Sequence, residues 1–164
     1  MTLRPAKPEE VEALLAITRE GFETYREFAP DRWEPPEMKA QEVVAIEDVA
    51  IWLVADGDDG EPVGHVVIIP ASRSRVPVDD PKLAHFMQLF VRRTHWGTGI
   101  AKELHDAAMA EAARRGFEHA RLVTPAQQAR ARRFYEREGW AVHGAPFHEP
   151  ALALELVEYR RALG

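Results

Sequence analysis

A predicted strand, a glycine turn and a long helix follow one another over residues 88–115, and this unit constrains the fold more than any other stretch. The turn contains Gly97 and Gly99, and the helix begins near Ile100. Glycine adopts positive φ angles and lets a ligand approach the backbone, while the unpaired N–H groups of a first helical turn attract anions. Taken alone, the turn is compatible with a phosphate-binding site and with a plain tight turn.

Composition limits the classes of protein to which the chain can belong. With 164 residues, of which 46% are hydrophobic, we expect one domain over residues 1–164. The absence of cysteine removes disulfides, thiolate ligands and a cysteine nucleophile. The net charge of −6 disfavours nucleic-acid binding. Because no signal-like N-terminus or apolar run of about 18 residues is found, we expect a cytoplasmic protein without a membrane partner.

Apolar periodicity and turn residues divide the chain into strands and helices. Predicted strands cover residues 2–4, 51–55, 63–70, 83–91, 119–124, 140–143 and 151–160. Predicted helices cover residues 8–22, 38–48, 100–115 and 125–138, whereas residues 25–36, 56–60, 71–82 and 144–150 are predicted to be irregular or turns. An antiparallel front half followed by a crossover unit predicts the α/β class, with a mixed, mostly antiparallel central sheet flanked by helices.

Two motifs in the second half of the chain carry a resemblance to a known family. The run W-G-T-G-I-A occupies residues 96–101, and the pattern A-x-x-F-Y-E-x-x-G-W occupies residues 131–140. Over residues 86–140 the chain resembles the GNAT superfamily, the acetyl-CoA-dependent N-acyltransferases. Trp96 stands where the family usually has Gln or Arg, and Gln128 where it often has Asn. The resemblance implies a GNAT-like fold in a single domain.

The resemblance also implies acetyl-CoA as co-substrate, bound largely by backbone N–H groups of the glycine turn. The residues expected to contact it are Leu89, Phe90, Val91, Trp96, Gly97, Thr98, Gly99, Ile100, Ala101, Gln128 and Phe134. Several arginines cluster in the same half of the chain. They are compatible with solvated helix faces and with contacts to the phosphates of CoA.

The activity implied by the resemblance is direct transfer of an acetyl group from acetyl-CoA to an amine of a small molecule or peptide in a ternary complex. The alternative is a catalytically silent acyl-CoA-binding or sensor domain of the same fold. A homodimer is compatible with either function. Aromatic and acidic residues over positions 23–33 fit a small cationic or aromatic amine and ordinary packing equally well.

Tyr135 is the first candidate for a catalytic residue. It stands where the family commonly has a tyrosine that donates a hydrogen bond to the departing sulfur of CoA. Without the family pattern, Tyr135 would be interpreted as an aromatic core residue beside Phe134.

His85 is the candidate for the general base. It lies in the strand that enters the glycine turn, where several family members have a glutamate, and histidine titrates near neutrality. A half-exposed histidine without a catalytic role is the alternative. His65, on the preceding strand, is the second candidate for the base, and His148 and Glu149 are weaker ones.

Other binding motifs do not fit the sequence. The seven histidines show no H-E-x-x-H or comparable ligand spacing, so no metal is expected. The run G-T-G-I-A-K lacks the third small residue of a dinucleotide-binding turn, and no acid ends the strand after the helix. A Walker A motif is also absent.

Overall fold

A computed structural model describes residues 1–38 and 51–164 of the chain. Eight strands of this part form one sheet: β1 (Thr2–Pro5), β2 (Ile51–Asp56), β3 (Pro62–Pro70), β4 (Leu83–Val91), β5 (His119–Pro125), β6 (Ala141–Val142), β7 (Phe147–Glu149) and β8 (Leu154–Ala162). The α-helices of this part are α1 (Val11–Glu23), α2 (Ile100–Arg114) and α3 (Ala129–Arg137). Within these residues, no helix combines the length and the apolar character that a membrane span needs. The predicted helix over residues 38–48 lies, apart from Met38, outside the described residues.

The sheet is mixed and mostly antiparallel, as the sequence predicts. Its strand order is β1-β2-β3-β4-β5-β8-β6, and β7 also pairs with β8. Among the described strands, the pairing of β4 with β5 is parallel and the others are antiparallel. A parallel pair needs a crossover connection, which α2 supplies.

The parallel pairing of β4 with β5 is short, and this opens the sheet. It ends at Phe86↔Leu122, and the later residues of the two strands pair with β3 and β8 instead. At the same point the register between β3 and β4 shifts between Val67 and Ile68, which leaves Met87 as an extra residue in β4. The strands therefore separate beyond this point and leave a gap in the sheet.

The helices α1 and α2 cover opposite faces of the sheet. In β2, Ala55 packs in the cluster that contains Leu104 and Ala108 of α2, whereas Val54 packs with Leu14 of α1. Since neighbouring strand residues point to opposite faces, the two helices lie on opposite sides. The face of α2 that carries Leu104, Ala108 and Ala112 is buried against the sheet.

Two stretches adopt a different type of structure from the one predicted for them. Residues 144–150, predicted to be a turn, contain β7, in which Phe147 pairs with Leu156 of β8. This strand is three residues long and lies between Pro146 and Pro150, so its local sequence signals a turn and only its pairing makes it a strand. Pro125, predicted to begin a helix, ends β5, and α3 begins at Ala129.

His65 lies within the sheet on β3 and is 1% exposed. Its Nδ1 accepts a hydrogen bond from the indole N–H of Trp52 at 3.1 Å. The remaining ring proton is therefore on Nε2, which lies 2.8 Å from the hydroxyl oxygen of Thr18. Burial lowers the pKa of His65 to about 3, so the ring is neutral in the folded protein near pH 7.

This buried ring predicts a loss of stability in mild acid. Below its ordinary pKa of 6.5, His65 takes up a proton in the unfolded chain but not in the folded protein. Each pH unit between that value and the folded pKa therefore removes up to about 1.4 kcal/mol from the free energy of unfolding. In urea denaturation at pH 7 and pH 5, His65→Gln should lose less stability between the two conditions than the wild type does.

The matched control is His119→Gln, because His119 is exposed at the start of β5. This variant should retain the full pH dependence of the wild type. If His65→Gln also retains it, the prediction fails.

Candidate active site

The glycine turn before α2 has the geometry of an anion-binding site. Gly97 and Gly99 have φ angles of 77° and 89°, and a Cβ built on either one meets no atom within 4 Å. The first amide bonded within α2 is that of Glu103, which donates to the carbonyl of Gly99 at 3.1 Å. The amides of residues 100–102 precede this bond and have no intrahelical partner. Open space thus faces unpaired N–H groups at the positive end of a 15-residue helix.

A cleft of about 460 Å³ extends from this turn into the gap between β4 and β5. It is large enough for a substantial part of a cofactor. Most residues expected to contact a co-substrate line it: Leu89, Phe90, Val91, Trp96, Gly97, Gly99, Ile100, Ala101, Gln128 and Phe134. Thr98 is the exception, because it belongs to the turn but not to the lining, and its hydroxyl donates to the carbonyl of His95.

Trp96 supports a positively charged rim of the cleft. Its indole N–H donates to the carbonyl of Val91 at 2.9 Å. The guanidinium carbons of Arg93 and Arg130 lie 4.9 and 4.5 Å from the centre of its ring, within the range of cation–π attraction. Trp96 therefore forms an aromatic platform that holds two arginines. Of the clustered arginines, Arg130, Arg133 and Arg137 line the cleft.

Tyr135, on α3, presents an unpaired hydroxyl to the cleft. Its ring packs against Phe134 and Trp140, with ring centres 5.3 and 6.0 Å away. Within the described residues the hydroxyl makes no hydrogen bond, and burial raises its pKa. The phenol thus stays protonated and can donate to a ligand. Tyr25 lines the same cleft, and its pKa is raised by burial and, to a smaller extent, by Tyr135.

A second pocket, of about 340 Å³, lies on the other side of the gap. It shares a wall with the cleft, since Met87, Gln88 and Val123 line both. The two cavities are therefore adjacent at these three residues. The loop over residues 71–82 contributes Arg73, Ser74, Arg75 and Val76 to the pocket.

Gln88, at the shared wall, is oriented by a chain of hydrogen bonds. The order of donors runs from Trp52 to His65, from His65 to Thr18, and from the Thr18 hydroxyl to Oε1 of Gln88 at 3.0 Å. Because Oε1 accepts, the amide nitrogen of Gln88 is left as the donor, and it donates to Sδ of Met38 at 3.9 Å. Gln88 was not among the site residues predicted from the sequence. A polar amide within the mostly apolar strand L-A-H-F-M-Q-L-F-V, residues 83–91, was a signal that could have indicated it.

His85 lines the second pocket, but its surroundings do not favour the role of general base. Its Nδ1 accepts a hydrogen bond from Nε of Arg121 at 3.2 Å, which leaves the proton of the neutral ring on Nε2. Burial, with a smaller contribution from the charge of Arg121, lowers the pKa of His85 to about 3. The prediction that His85 titrates near neutrality is therefore wrong. His65 has both ring nitrogens engaged and the same low pKa.

The weaker candidates for the base differ in position. Glu149 lines the second pocket, and its Oε2 accepts the backbone N–H of Leu152 at 2.6 Å. His148 is exposed on β7 and is not part of the lining of either cavity.

The aromatic residues near the end of α1 pack together, with Tyr25 and Trp33 buried in one cluster with Leu154 and Leu156.

One cluster of acidic and imidazole groups lies outside both cavities. Ligand atoms of His105, Asp106 and Glu138 lie within 4.8 Å of one another. The ammonium of Lys102 already bridges the two carboxylates, at 2.8 Å from Asp106 and 2.7 Å from Glu138. The cluster is therefore an ion-pair network that joins α2 to the end of α3.

Solved structures of low sequence identity share this fold. A GNAT-family acetyltransferase from Staphylococcus aureus Mu50 superposes with a TM-score of 0.77 at 16% identity, over 99% of each chain. The protein yncA from Salmonella typhimurium, solved with its cofactor acetyl-CoA, has a TM-score of 0.76 at 17% identity, over 100% of this chain and 94% of that one. PaiA N-acetyltransferase from Thermoplasma acidophilum, in complex with coenzyme A, has a TM-score of 0.71 at 17% identity, over 96% of each chain.

The sequence itself matches a family model across most of its length. A comparison with curated protein sequences gives no match. The model described as the acetyltransferase (GNAT) family matches residues 16–140, which include the glycine turn, the gap between β4 and β5, and Tyr135. The chain therefore belongs to the acetyltransferase (GNAT) family.

Proposed function

We propose that the protein is an N-acetyltransferase that binds acetyl-CoA in the cleft and an amine in the second pocket, called the acceptor pocket from here on. The wall shared by the two cavities at Met87, Gln88 and Val123 is the observation that carries this proposal. It allows a thioester and an amine to approach each other without a covalent enzyme intermediate. The relatives solved with acetyl-CoA and coenzyme A support the choice of co-substrate.

The residues around the cleft suit the parts of acetyl-CoA. The unpaired amides of residues 100–102 would hold its pyrophosphate, and Arg130, Arg133 and Arg137 would neutralise phosphate charge. Bound acetyl-CoA supplies an activated acetyl group on a thiol leaving group. In the transfer, the amine nitrogen forms a bond to the acetyl carbon, the carbon–sulfur bond breaks, and the amine loses one proton.

Tyr135 is proposed to donate its hydroxyl proton as a hydrogen bond to the leaving sulfur. An ordinary tyrosine has a pKa of about 10 and a thiol of about 8.5, so complete proton transfer is uphill by about 2 kcal/mol. Burial raises the pKa of Tyr135 and makes complete transfer still less favourable. A hydrogen bond that strengthens as charge develops on sulfur is the remaining contribution.

The amine is proposed to react as the neutral base selected from solution. An alkyl amine with a pKa of about 10.4 is neutral in only about one molecule in 2,500 at pH 7. His85 and His65 are neutral rings whose lone pairs already accept hydrogen bonds from Arg121 and Trp52. We therefore assign no histidine as general base, and we propose that His85 positions Arg121.

Acetyl-CoA turnover tests the function directly. Purified protein should release free thiol from acetyl-CoA when supplied with amines from a panel of amino acids, peptides, aminoglycosides and simple alkyl amines. A thermal shift with CoA but no thiol release with any amine would instead support the catalytically silent acyl-CoA-binding domain. If CoA causes no thermal shift and no amine gives turnover, the assignment of the cleft as a CoA site is refuted.

Gly99→Glu is expected to weaken acetyl-CoA binding by at least about 100-fold, because it adds a negative charge to a site for phosphates. Isothermal titration calorimetry measures the affinity, and circular dichroism verifies the fold. Gly116→Glu is the matched control, since Gly116 has a similar φ angle of 95° and open space around it but lies at the other end of α2. Equal affinity losses in the two variants would contradict a phosphate site at Gly99.

Tyr135→Phe should lower kcat by about 10- to 100-fold and leave acetyl-CoA affinity within about twofold, since a hydrogen bond to a charged group contributes about 1.5–3 kcal/mol. Steady-state kinetics and calorimetry separate the two effects. Tyr25→Phe is the comparison, because Tyr25 lines the same cleft. If kcat falls in Tyr25→Phe and not in Tyr135→Phe, the sulfur donor is Tyr25.

The pH profile tests the absence of a histidine base. Between pH 5.5 and 8.5 the value of kcat/KM should rise tenfold for each pH unit, following the fraction of neutral amine, without a plateau near neutrality. His85→Gln should have the same slope, because a pKa of about 3 places His85 outside this range. An inflection near pH 7 that disappears in His85→Gln would restore His85 as the base.

A further inference from the structure

Among the described residues that line the acceptor pocket, positive charges outnumber negative ones. Arg73, Arg75 and Arg121 line it, and Glu149 supplies the one carboxylate in this described part of the lining. His85, in the same wall, is neutral because burial lowers its pKa to about 3. The cavity of about 340 Å³ has the size of a small-molecule site.

Arg121 is buried and rigidly held at the wall of this pocket. It is 1% exposed. Its Nε donates to His85 at 3.2 Å, and its Nη2 donates to the hydroxyl of Ser74 at 2.6 Å and to the carbonyl of Val76 at 2.8 Å. All three acceptors are neutral, so these bonds fix the plane of the guanidinium without balancing its charge.

The charge of Arg121 is only partly compensated by the protein. Its ion pair within the described residues is with Glu158, whose Oε1 lies 3.8 Å from Nη1, beyond hydrogen-bond distance. Glu158 also accepts a hydrogen bond from Nε of Arg160 at 2.7 Å. One carboxylate is thus shared between two guanidinium groups, and burial lowers the pKa of Arg121 despite Glu158.

One nitrogen of Arg121 remains available to a ligand. Nη1 donates no hydrogen bond within residues 1–38 and 51–164. No fully enclosed side-chain nitrogen in these residues lacks a hydrogen-bond partner, so Nη1 is not fully enclosed. Arg121 lines the acceptor pocket. A buried cation with a free donor at a pocket wall is suited to binding an anion.

We propose that the acceptor is a small amine that also carries a carboxylate or a comparable oxyanion, bound by Arg121. Arg73 and Arg75, which are exposed at the same pocket, add to the attraction. This inference rests on the proposed function, because it names the substrate class of the same reaction. With its anion at Arg121, the acceptor directs its amine toward the wall at Met87, Gln88 and Val123.

The same charges exclude other acceptors. Polyamines and aminoglycosides carry several positive charges and are repelled by the arginines. Glu149 does not reverse this preference, since its single negative charge is outnumbered by the positive charges of Arg73, Arg75 and Arg121 in the same lining. Apolar side chains, among them Ile69, Phe147 and Leu156, line the rest of the pocket and suit an acceptor with an apolar body. Amino acids with apolar side chains belong to the expected class.

Matched pairs of acceptors test the anion requirement. A panel of α-, β- and γ-amino acids with apolar side chains is compared with the corresponding amides, in which the carboxylate is neutral. Thiol release from acetyl-CoA gives kcat/KM, and each value is divided by the fraction of neutral amine, because the amine of an amide has a lower pKa. At least one acid should exceed its amide by about tenfold or more, as expected for a charge-assisted hydrogen bond.

Variants of the exposed arginines assign the effect to the pocket. Arg75→Gln and the double variant Arg73→Gln/Arg75→Gln should raise KM for the acids by about two- to fivefold for each charge removed. KM for the amides and for acetyl-CoA should stay unchanged. Arg114→Gln is the control for loss of one exposed positive charge, because Arg114 lies on α2 outside the acceptor pocket and the cleft.

The outcomes separate this inference from the proposed function. Acetylation of acids and amides with equal corrected kcat/KM overturns the anion site and leaves the N-acetyltransferase activity intact. If no amine releases thiol, the proposed function fails, and calorimetric titration of the same pairs into CoA-saturated protein becomes decisive. Preferential binding of an acid then supports the anion site, and equal or undetectable binding of both members of every pair refutes it.

Discussion

The early end of the parallel pairing between β4 and β5 is the constraint on which the rest of the site depends. The two strands share hydrogen bonds only as far as Phe86↔Leu122, and each then follows its antiparallel neighbour. The gap lies inside the sheet, so ligands can approach each other through it from two sides. The crossover helix α2 begins at the same end of β4, which brings unpaired amides to the mouth of the cleft.

Buried neutral histidines organise the polar groups on both sides of this gap. His65 and His85 each accept a hydrogen bond from a group that can only donate, Trp52 and Arg121 respectively. A protonated imidazole could not accept these bonds. Neutral rings thus leave the amide of Gln88 and the guanidinium of Arg121 oriented as donors, one at the shared wall and one in the acceptor pocket.

The distribution of charge matters more for this protein than its total. The net charge is −6, yet arginines line both cavities. In the cleft they lie near a helix N-terminus. In the acceptor pocket, Arg121 is buried, and the carboxylate nearest to it, that of Glu158, also pairs with Arg160. Local fields of this kind attract anionic ligands regardless of the sign of the whole molecule.

The sequence by itself determined the features that depend on neighbouring residues. The two glycines imposed the turn, apolar spacing imposed α2, and the second motif brought Tyr135 to the cleft wall, because backbone conformation and helical periodicity are local properties. Tertiary structure alone decided the short strand β7, the orientation of Gln88 and the protonation of His85. Thr18 and Gln88 are 70 residues apart, and His85 and Arg121 are 36 apart. Burial and partners contributed by distant segments set these states, so no pattern within one segment could reveal them.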